Sequence, residues 1–262
     1  MALALESLTV SVGGKSVCRQ LSMSFKPGEF WGIMGINGVG KSTLLQCLMG
    51  LRKADSGKVL LDNTPLLTYK PIERARKMGL MLQEYEYNFP CSVMEAVLIG
   101  RHPFVHSLQW ENNKDKNLAR QALQKVALDS FSERSINTLS GGEKRRLNLA
   151  TLLTQNPEYY LLDEPVNHLD IKAQLDVLTL LQHKFKTRYC GIMVIHDPNL
   201  AWRYCDHILL LDNGECISGE AKSILNTENL SRLYQCPVQT LKNQEHTIFI
   251  PHKNDLHLTT ND

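Results

Sequence analysis

Two stretches near the N-terminus, Leu3–Val12 and residues 17–25, alternate apolar and polar side chains. A period of two marks a strand with one face buried. Gly13-Gly14 lies between them, so the pair predicts an antiparallel hairpin. Lys26-Pro27-Gly28-Glu29 reads as a turn, and residues 30–34 as a short, wholly apolar strand. A glycine-rich loop then leads into a helix over about 42–49. Residues 59–61 are a further strand, ended by the Asp62-Asn63 turn.

From about 83 to 156 the pattern is mostly helical and carries no long β-branched run. Residues 109–116 read as a polar loop, 117–128 as one helix and 140–155 as another, which Asn156-Pro157 stops. The last third alternates again: strand at Tyr159–Leu162, helix at Ile171–Phe185, strand at 191–195, short helix at 199–204, strand at 208–212. All-apolar strands separated by helices predict a largely parallel sheet covered on both faces. Past Gly219 short helices and two strands are expected, then a polar, frayed end of about ten residues. No internal repeat interrupts this order.

Composition narrows the function. The 262 residues are 43% hydrophobic and 21% charged, an ordinary globular balance that needs no staples. With 29 basic against 27 acidic residues, no clustered positive footprint for nucleic acid is present. Seven cysteines without a CxxC spacing read as reduced thiols in a cytosolic protein. No apolar run approaches the roughly 20 residues of a membrane span, and the N-terminus has no signal-peptide pattern. Any link to a membrane therefore goes through a partner.

Three motifs carry chemistry. Gly35-Ile36-Asn37-Gly38-Val39-Gly40-Lys41-Ser42 fits G-x-x-x-x-G-K-[ST], between a predicted strand and a predicted helix. Its glycines let successive N–H groups turn inward onto phosphate oxygens, and the helix N-terminus adds positive potential. Lys41 is then expected on the β- and γ-phosphates, and Ser42 on magnesium. The second motif is Asp163-Glu164, at the tip of an apolar strand. Asp163 suits a magnesium site reached through water, and Glu164 suits a general base for the attacking water; a solvated strand end is the plainer alternative. The third is Leu139-Ser140-Gly141-Gly142-Glu143. Ser140 and Glu143 make a capping box that any helix could use. Two glycines in the first turn cost about 1 kcal/mol each, which makes sense where something approaches the backbone closely. Two anion sites far apart in one chain suggest a nucleotide shared by two copies.

Together these motifs resemble the ABC (ATP-binding cassette) ATPases, and Leu139-Ser140-Gly141-Gly142-Glu143 looks like that family's signature. Gln83 falls at the position of that family's Q-loop, Asn167-His168-Leu169-Asp170 at its D-loop, and His196 at its switch histidine. Taken alone, His196 would read as a capping or core histidine and Gln83 as a polar strand end. The resemblance spans about residues 3 to 250. It implies an α/β fold with a P-loop NTPase (RecA-like) core and mostly parallel sheet, an N-terminal antiparallel β subdomain and an inserted α-helical subdomain. The implied division is core 1–84 and 158–220, insertion 85–157 and C-terminal extension 221–262.

The resemblance also implies ATP and Mg2+ as cofactors and a head-to-tail dimer. Gly35, Asn37, Gly38, Gly40, Lys41, Ser42 and Thr43 of one copy would bind ATP with Ser140, Gly141 and Gly142 of the other. Glu164, His196 and Gln83 would be catalytic, and Ser42, Gln83 and Asp163 would serve the metal. The segment Phe89-Pro90 through Val93 to Gly100-Arg101-His102-Pro103 is similar to importer ATPases for iron–siderophore, haem and cobalamin. Residues 167–171, His196-Asp197 with 199–201, and the tail 228–238 are similar to that group too. This implies an ATPase on the cytoplasmic face of the inner membrane. Its partners would be membrane permease subunits docked on residues 83–106 and, indirectly, a periplasmic or surface substrate-binding protein. Tyr85, Tyr87, Phe89, Phe104 and Trp110 would offer the apolar contact. An exporter cassette for haem or lipid, or a soluble ATPase acting on ribosome or DNA, are the alternatives. The chain departs from the family at Val12, where an aromatic residue usually stacks on adenine. It also departs at Arg145, where Gln is common, at Thr151 (Arg) and at Pro198 (Leu).

Overall fold

The computed structural model describes residues 2–83, 90–105, 111–242 and 247–252. In chain order the strands and helices begin β1 (Leu3–Val12), β2 (Lys15–Phe25), β3 (Phe30–Gly35), α1 (Lys41–Leu48), β4 (Ser56–Leu61), β5 (Thr64–Pro65), α2 (Pro71–Lys77) and β6 (Met78–Met81). The middle carries α3 (Val93–Leu98), α4 (Asn113–Lys125) and α5 (Gly141–Gln155), with short 3-10 turns between them. Then come β7 (Tyr159–Leu162), α6 (Ile171–Phe185), β8 (Cys190–Val194), α7 (Pro198–Tyr204), β9 (His207–Asp212) and β10 (Glu215–Glu220). The chain closes with α8 (Ala221–Ile224), α9 (Thr227–Tyr234), β11 (Val238–Lys242) and β12 (Thr247–Pro251).

The predicted hairpin forms: β1 pairs with β2 antiparallel, within a four-stranded sheet of order β2-β1-β4-β5. The main sheet has the order β10-β9-β3-β8-β7-β6. Its strands β9, β3, β8, β7 and β6 run parallel, and β10 is an antiparallel edge on β9. Among the described residues the last two strands pair only with each other.

Strand periodicity sorts the sheet's side chains into two cores. Phe30 and Met34 of β3, Tyr160 and Leu162 of β7, and Ile208 and Leu210 of β9 join one core with the helices α3 to α6. Trp31 and Ile33, Tyr159 and Leu161, and Leu209 and Leu211 join the other, with the antiparallel sheet and α1. Burial on both faces explains why the interiors of these strands are continuously apolar instead of alternating.

Several boundaries differ from expectation. The helix placed at 117–128 begins at Asn113, within what reads as a polar loop. The Asn112 side chain accepts from Lys114 N at 2.8 Å and Asp115 N at 3.1 Å, while Asp115 reaches back to Asn112 N. Asp at the third position completes this box in place of the usual Glu, which hides it in a polar stretch. Three further elements, α2, β6 and β10, carry too weak a pattern to read alone; β6 is the four residues Met-Gly-Leu-Met. Among the described residues no helix is long and apolar enough to cross a membrane. Tyr85, Tyr87, Phe89 and Trp110 lie outside the described residues; Phe104 is half-buried beneath the Arg101 guanidinium, 4.1 Å from its ring centre.

Candidate nucleotide and hydrolysis site

Four parallel strands end at the same edge of the main sheet, and each delivers a candidate residue there. β3 ends in the glycine-rich loop, β6 runs into Gln83, β7 into Asp163-Glu164 and β8 into His196. The carboxyl edge of a parallel sheet is where open α/β folds place their ligands.

The loop's conformation follows from its glycines. Gly38 and Gly40 have φ of 79° and 101°, a region that side chains disfavour. A methyl at Gly40 would lie 2.4 Å from Val17 Cγ2, so no other residue fits there without a shift. Gly40 also stands at the N-cap of α1, where no side chain caps the helix. The first N–H groups of α1 are therefore available to an anion. Asn37 and Gly38 are exposed on this face, while Ser42 and Thr43 are half-buried.

Lys41 is only 6% exposed. Its ammonium donates to the carbonyls of Gly35 at 2.9 Å and Ile36 at 3.0 Å. Burial lowers its pKa, and the Glu164 and Asp163 charges oppose that shift. Asp163 is 3% exposed, and burial raises its carboxyl pKa against a hydrogen bond from Ser42. Its Oδ1 is buried without a hydrogen-bond partner. A buried carboxylate oxygen left bare beside a hydroxyl is costly unless a cation or its water completes it. Ser42 and Asp163 thus fit a magnesium ion.

Glu164 is the hub. Its backbone takes a left-handed φ of 51°. Its carboxylate accepts from Gln83 Nε2 at 3.0 Å and from Asn167 Nδ2, and pairs with His196 Nε2 at 2.6 Å. The His196 carbonyl in turn accepts from the Tyr234 hydroxyl at 3.0 Å, so α9 braces the histidine.

Lys41, Ser42, Gln83, Asp163, Glu164 and His196 are therefore brought to one edge. Ser140, Gly141 and Gly142 are not part of this cluster: among the described residues no hydrogen bond joins them to Lys41 or Ser42. Ser140 caps α5, its hydroxyl accepting from Glu143 N at 3.3 Å and its N–H donating to Glu143 Oε2 at 2.7 Å. Two contributors lay outside the sequence-based site. Asn167, whose D-loop position gives no hint of this role, donates to the Glu164 carboxylate, and Arg145, a departure from the family pattern, donates to the carbonyls of Asp163 and Glu164. The signal for Arg145 was its place on the buried face of α5, four and seven residues before Leu149 and Leu152.

The chain as a whole is similar to known proteins. The family described as "ABC transporter" matches residues 18–167. A hemin import ATP-binding protein, HmuV, of Myxococcus xanthus is 35% identical over 250 residues, covering 92% of this chain and 93% of that one. An ABC transporter ATP-binding protein of Methanocaldococcus jannaschii is 34% identical over 236 residues, covering 89% of this chain and 91% of its own. An inward-facing structure described as a metal-chelate type ABC transporter superposes with a TM-score of 0.84 at 28% identity, over 97% of this chain and 98% of that chain. The P-loop NTPase fold, the glycine-rich loop at the uncapped start of α1 and these relatives converge: the chain belongs to the ABC transporter family, as an ATP-binding subunit that hydrolyses ATP.

Proposed function

We propose that this chain powers the import of haem or another metal chelate, such as a siderophore complex or cobalamin, through a membrane permease. The observation that carries its ATPase half is the Glu164 carboxylate, fixed by Gln83, Asn167 and His196 beside the phosphate loop. The cargo half rests on relatives named for hemin import in Myxococcus xanthus and Escherichia coli O157:H7.

The residues divide the work as follows. Gly35, Asn37, Gly38, Gly40 and Thr43 line the phosphates, and Lys41 leaves its loop carbonyls to meet the β- and γ-oxygens. Ser42, Asp163 and Gln83 would hold magnesium, which would screen the phosphate charge. Glu164 accepts a proton from the attacking water as its oxygen bonds the γ-phosphorus and ADP leaves. His196 orients that water and the γ-phosphate. Ser140, Gly141 and Gly142 of a second, head-to-tail copy close over the same γ-phosphate.

The chain divides into a core of 1–84 and 158–220, an insertion at 85–157 and an extension at 221–262. A cavity of about 440 Å3 between the core and the helices α3 and α5 supports permease docking. Leu51 and Ile99 line it and are 65% and 50% exposed, a surface that suits a permease helix lying at the cytoplasmic face of the membrane. A substrate-binding protein on the far side would deliver the cargo.

The test has two parts. Glu164→Gln, with ATP binding intact, should lose at least a hundredfold in turnover; undiminished hydrolysis refutes the assigned base. Proteoliposomes holding this chain and its cognate permease should then take up haem, a ferric siderophore or cobalamin in an ATP-dependent way. Outward transport, or ATPase stimulated by ribosomes or DNA instead of the permease, would favour the exporter or soluble alternative.

A further inference from the structure

The guanidinium of Arg145 lies 7% exposed inside the protein, five residues beyond the cap of α5. Its Nη1 donates to the carbonyls of Leu82, at 2.9 Å, and of Gln83. Its Nη2 donates to the carbonyls of Asp163 and Glu164. One planar fork thus joins the main chain after β6 to the main chain after β7. The side chains of the same two residues also meet, Gln83 Nε2 on Glu164 Oε2 at 3.0 Å. Gln83 and Glu164 are therefore tied twice, backbone to backbone through Arg145 and side chain to side chain directly.

The tie has something to hold. Glu164 sits at a φ of 51°, which an ordinary side chain leaves unless its surroundings fix it. Its carbonyl points into the buried fork. The fork belongs to α5, whose first turn is the signature loop with Ser140 at its cap. A shift of α5 that follows contact at Ser140 must move the carbonyls of Gln83 and Glu164 with it, because a buried guanidinium keeps its four acceptors only by moving with them. A lysine in the same place would keep the charge and lose the fork, since an ammonium is a point charge without fixed in-plane donors.

We propose that Arg145 is a positioning residue: it transmits the placement of the signature helix to Gln83 and Glu164 of the same copy and holds Glu164 in its hydrolytic conformation. The inference rests on the assignment of Glu164 as base. It adds that the signature end of a chain, engaged by one nucleotide, sets the geometry of the base that serves the other.

The experiment compares Arg145→Lys and Arg145→Met with the parent, as purified full chain. Turnover at saturating ATP, ATP affinity by calorimetry and thermal melting are read together. Arg145→Lys should melt cooperatively, bind ATP within twofold of the parent and turn over about tenfold more slowly; Arg145→Met should be slower still. Either variant melting cooperatively with turnover within twofold of the parent overturns the proposal. So does ATP affinity that falls as far as turnover, or loss of cooperative melting in both variants, which would mark the arginine as purely structural. Glu164→Gln runs alongside. Full turnover there defeats the base assignment itself, whereas its loss together with an active Arg145→Lys defeats only the role given to Arg145.

Discussion

The phosphate loop and the signature loop both set glycines at the N-terminus of a helix, and they are built in opposite ways. In the first, the chain itself fills the space around the glycines. A methyl at Gly35 would meet Val39 Cγ1 at 2.7 Å and Leu211 O at 2.9 Å, and one at Gly40 would meet Val17. Only Gly38, on the exposed side, has nothing within 4 Å. In the second, Gly141 has nothing within 4 Å, and Gly142 makes only ordinary contacts, the nearest 3.6 Å from Leu169 Cδ2. Helix α1 has no capping side chain, whereas α5 has a complete capping box. The first loop therefore needs its glycines to fold, and its helix lacks the partner that an anion supplies. The second folds without needing its glycines. Their cost in the helix makes sense when a group from outside the chain must come close.

The largest effect that tests this contrast is at Lys41. Its ammonium rests on two loop carbonyls and lies deep enough that phosphate is its natural charged partner. Lys41→Ala should weaken ATP binding by about 3 kcal/mol, more than a hundredfold, from the loss of charged hydrogen bonds. Calorimetry checks this, and unchanged affinity would remove the loop from the binding site.

The middle effect is a matched pair of glycine substitutions. Gly40→Ala must press on Val17 and hold an L-residue at a φ of 101°. It should cost about 2 kcal/mol and lower the melting temperature by several degrees. Gly141→Ala meets open space in the first turn of α5, so melting should be unchanged or slightly higher, by less than about 1 kcal/mol. ATP binding should persist in Gly141→Ala while turnover falls about tenfold. If Gly141→Ala melts lower instead, the signature glycine serves this chain's own fold and the contrast fails.

Legibility in the sequence follows the same division. The phosphate loop, the apolar strands β3, β7 and β8 and the hairpin were readable, because each rests on local spacing or period. The double sorting of β3 into two cores was implicit in its unbroken apolar run. The start of α4 was not, since its capping box is made of polar residues that read as loop. Strand β6 was too short to show a period, yet it places Gln83. Arg145 was visible as an odd residue, but its four carbonyl partners come from segments 62 or 63 residues before it and 18 or 19 after it, which no local pattern encodes. Tyr234 braces His196 from 38 residues away, equally out of reach of spacing arguments.

The smallest effect concerns the end of the nucleotide that neither loop touches. Val12 ends β1, opposite Lys15 across the Gly13-Gly14 turn, where the family's stacking aromatic is expected. It is half-buried and packs on the same apolar cluster as Ile36 and Val39 of the phosphate loop. A valine there gives the base an edge to rest on but no face to stack against. Binding is then expected to lean on the phosphates, and Val12→Tyr should add stacking of about 1 kcal/mol, roughly fivefold in ATP affinity. ADP should gain as much as ATP, because both carry the adenine. Inorganic triphosphate should gain nothing, because it engages only the loop. Equal tightening of all three by calorimetry would mean that the tyrosine acts through the loop's packing and not through the base. That result would place the adenine elsewhere and return Val12 to a purely structural part in the hairpin.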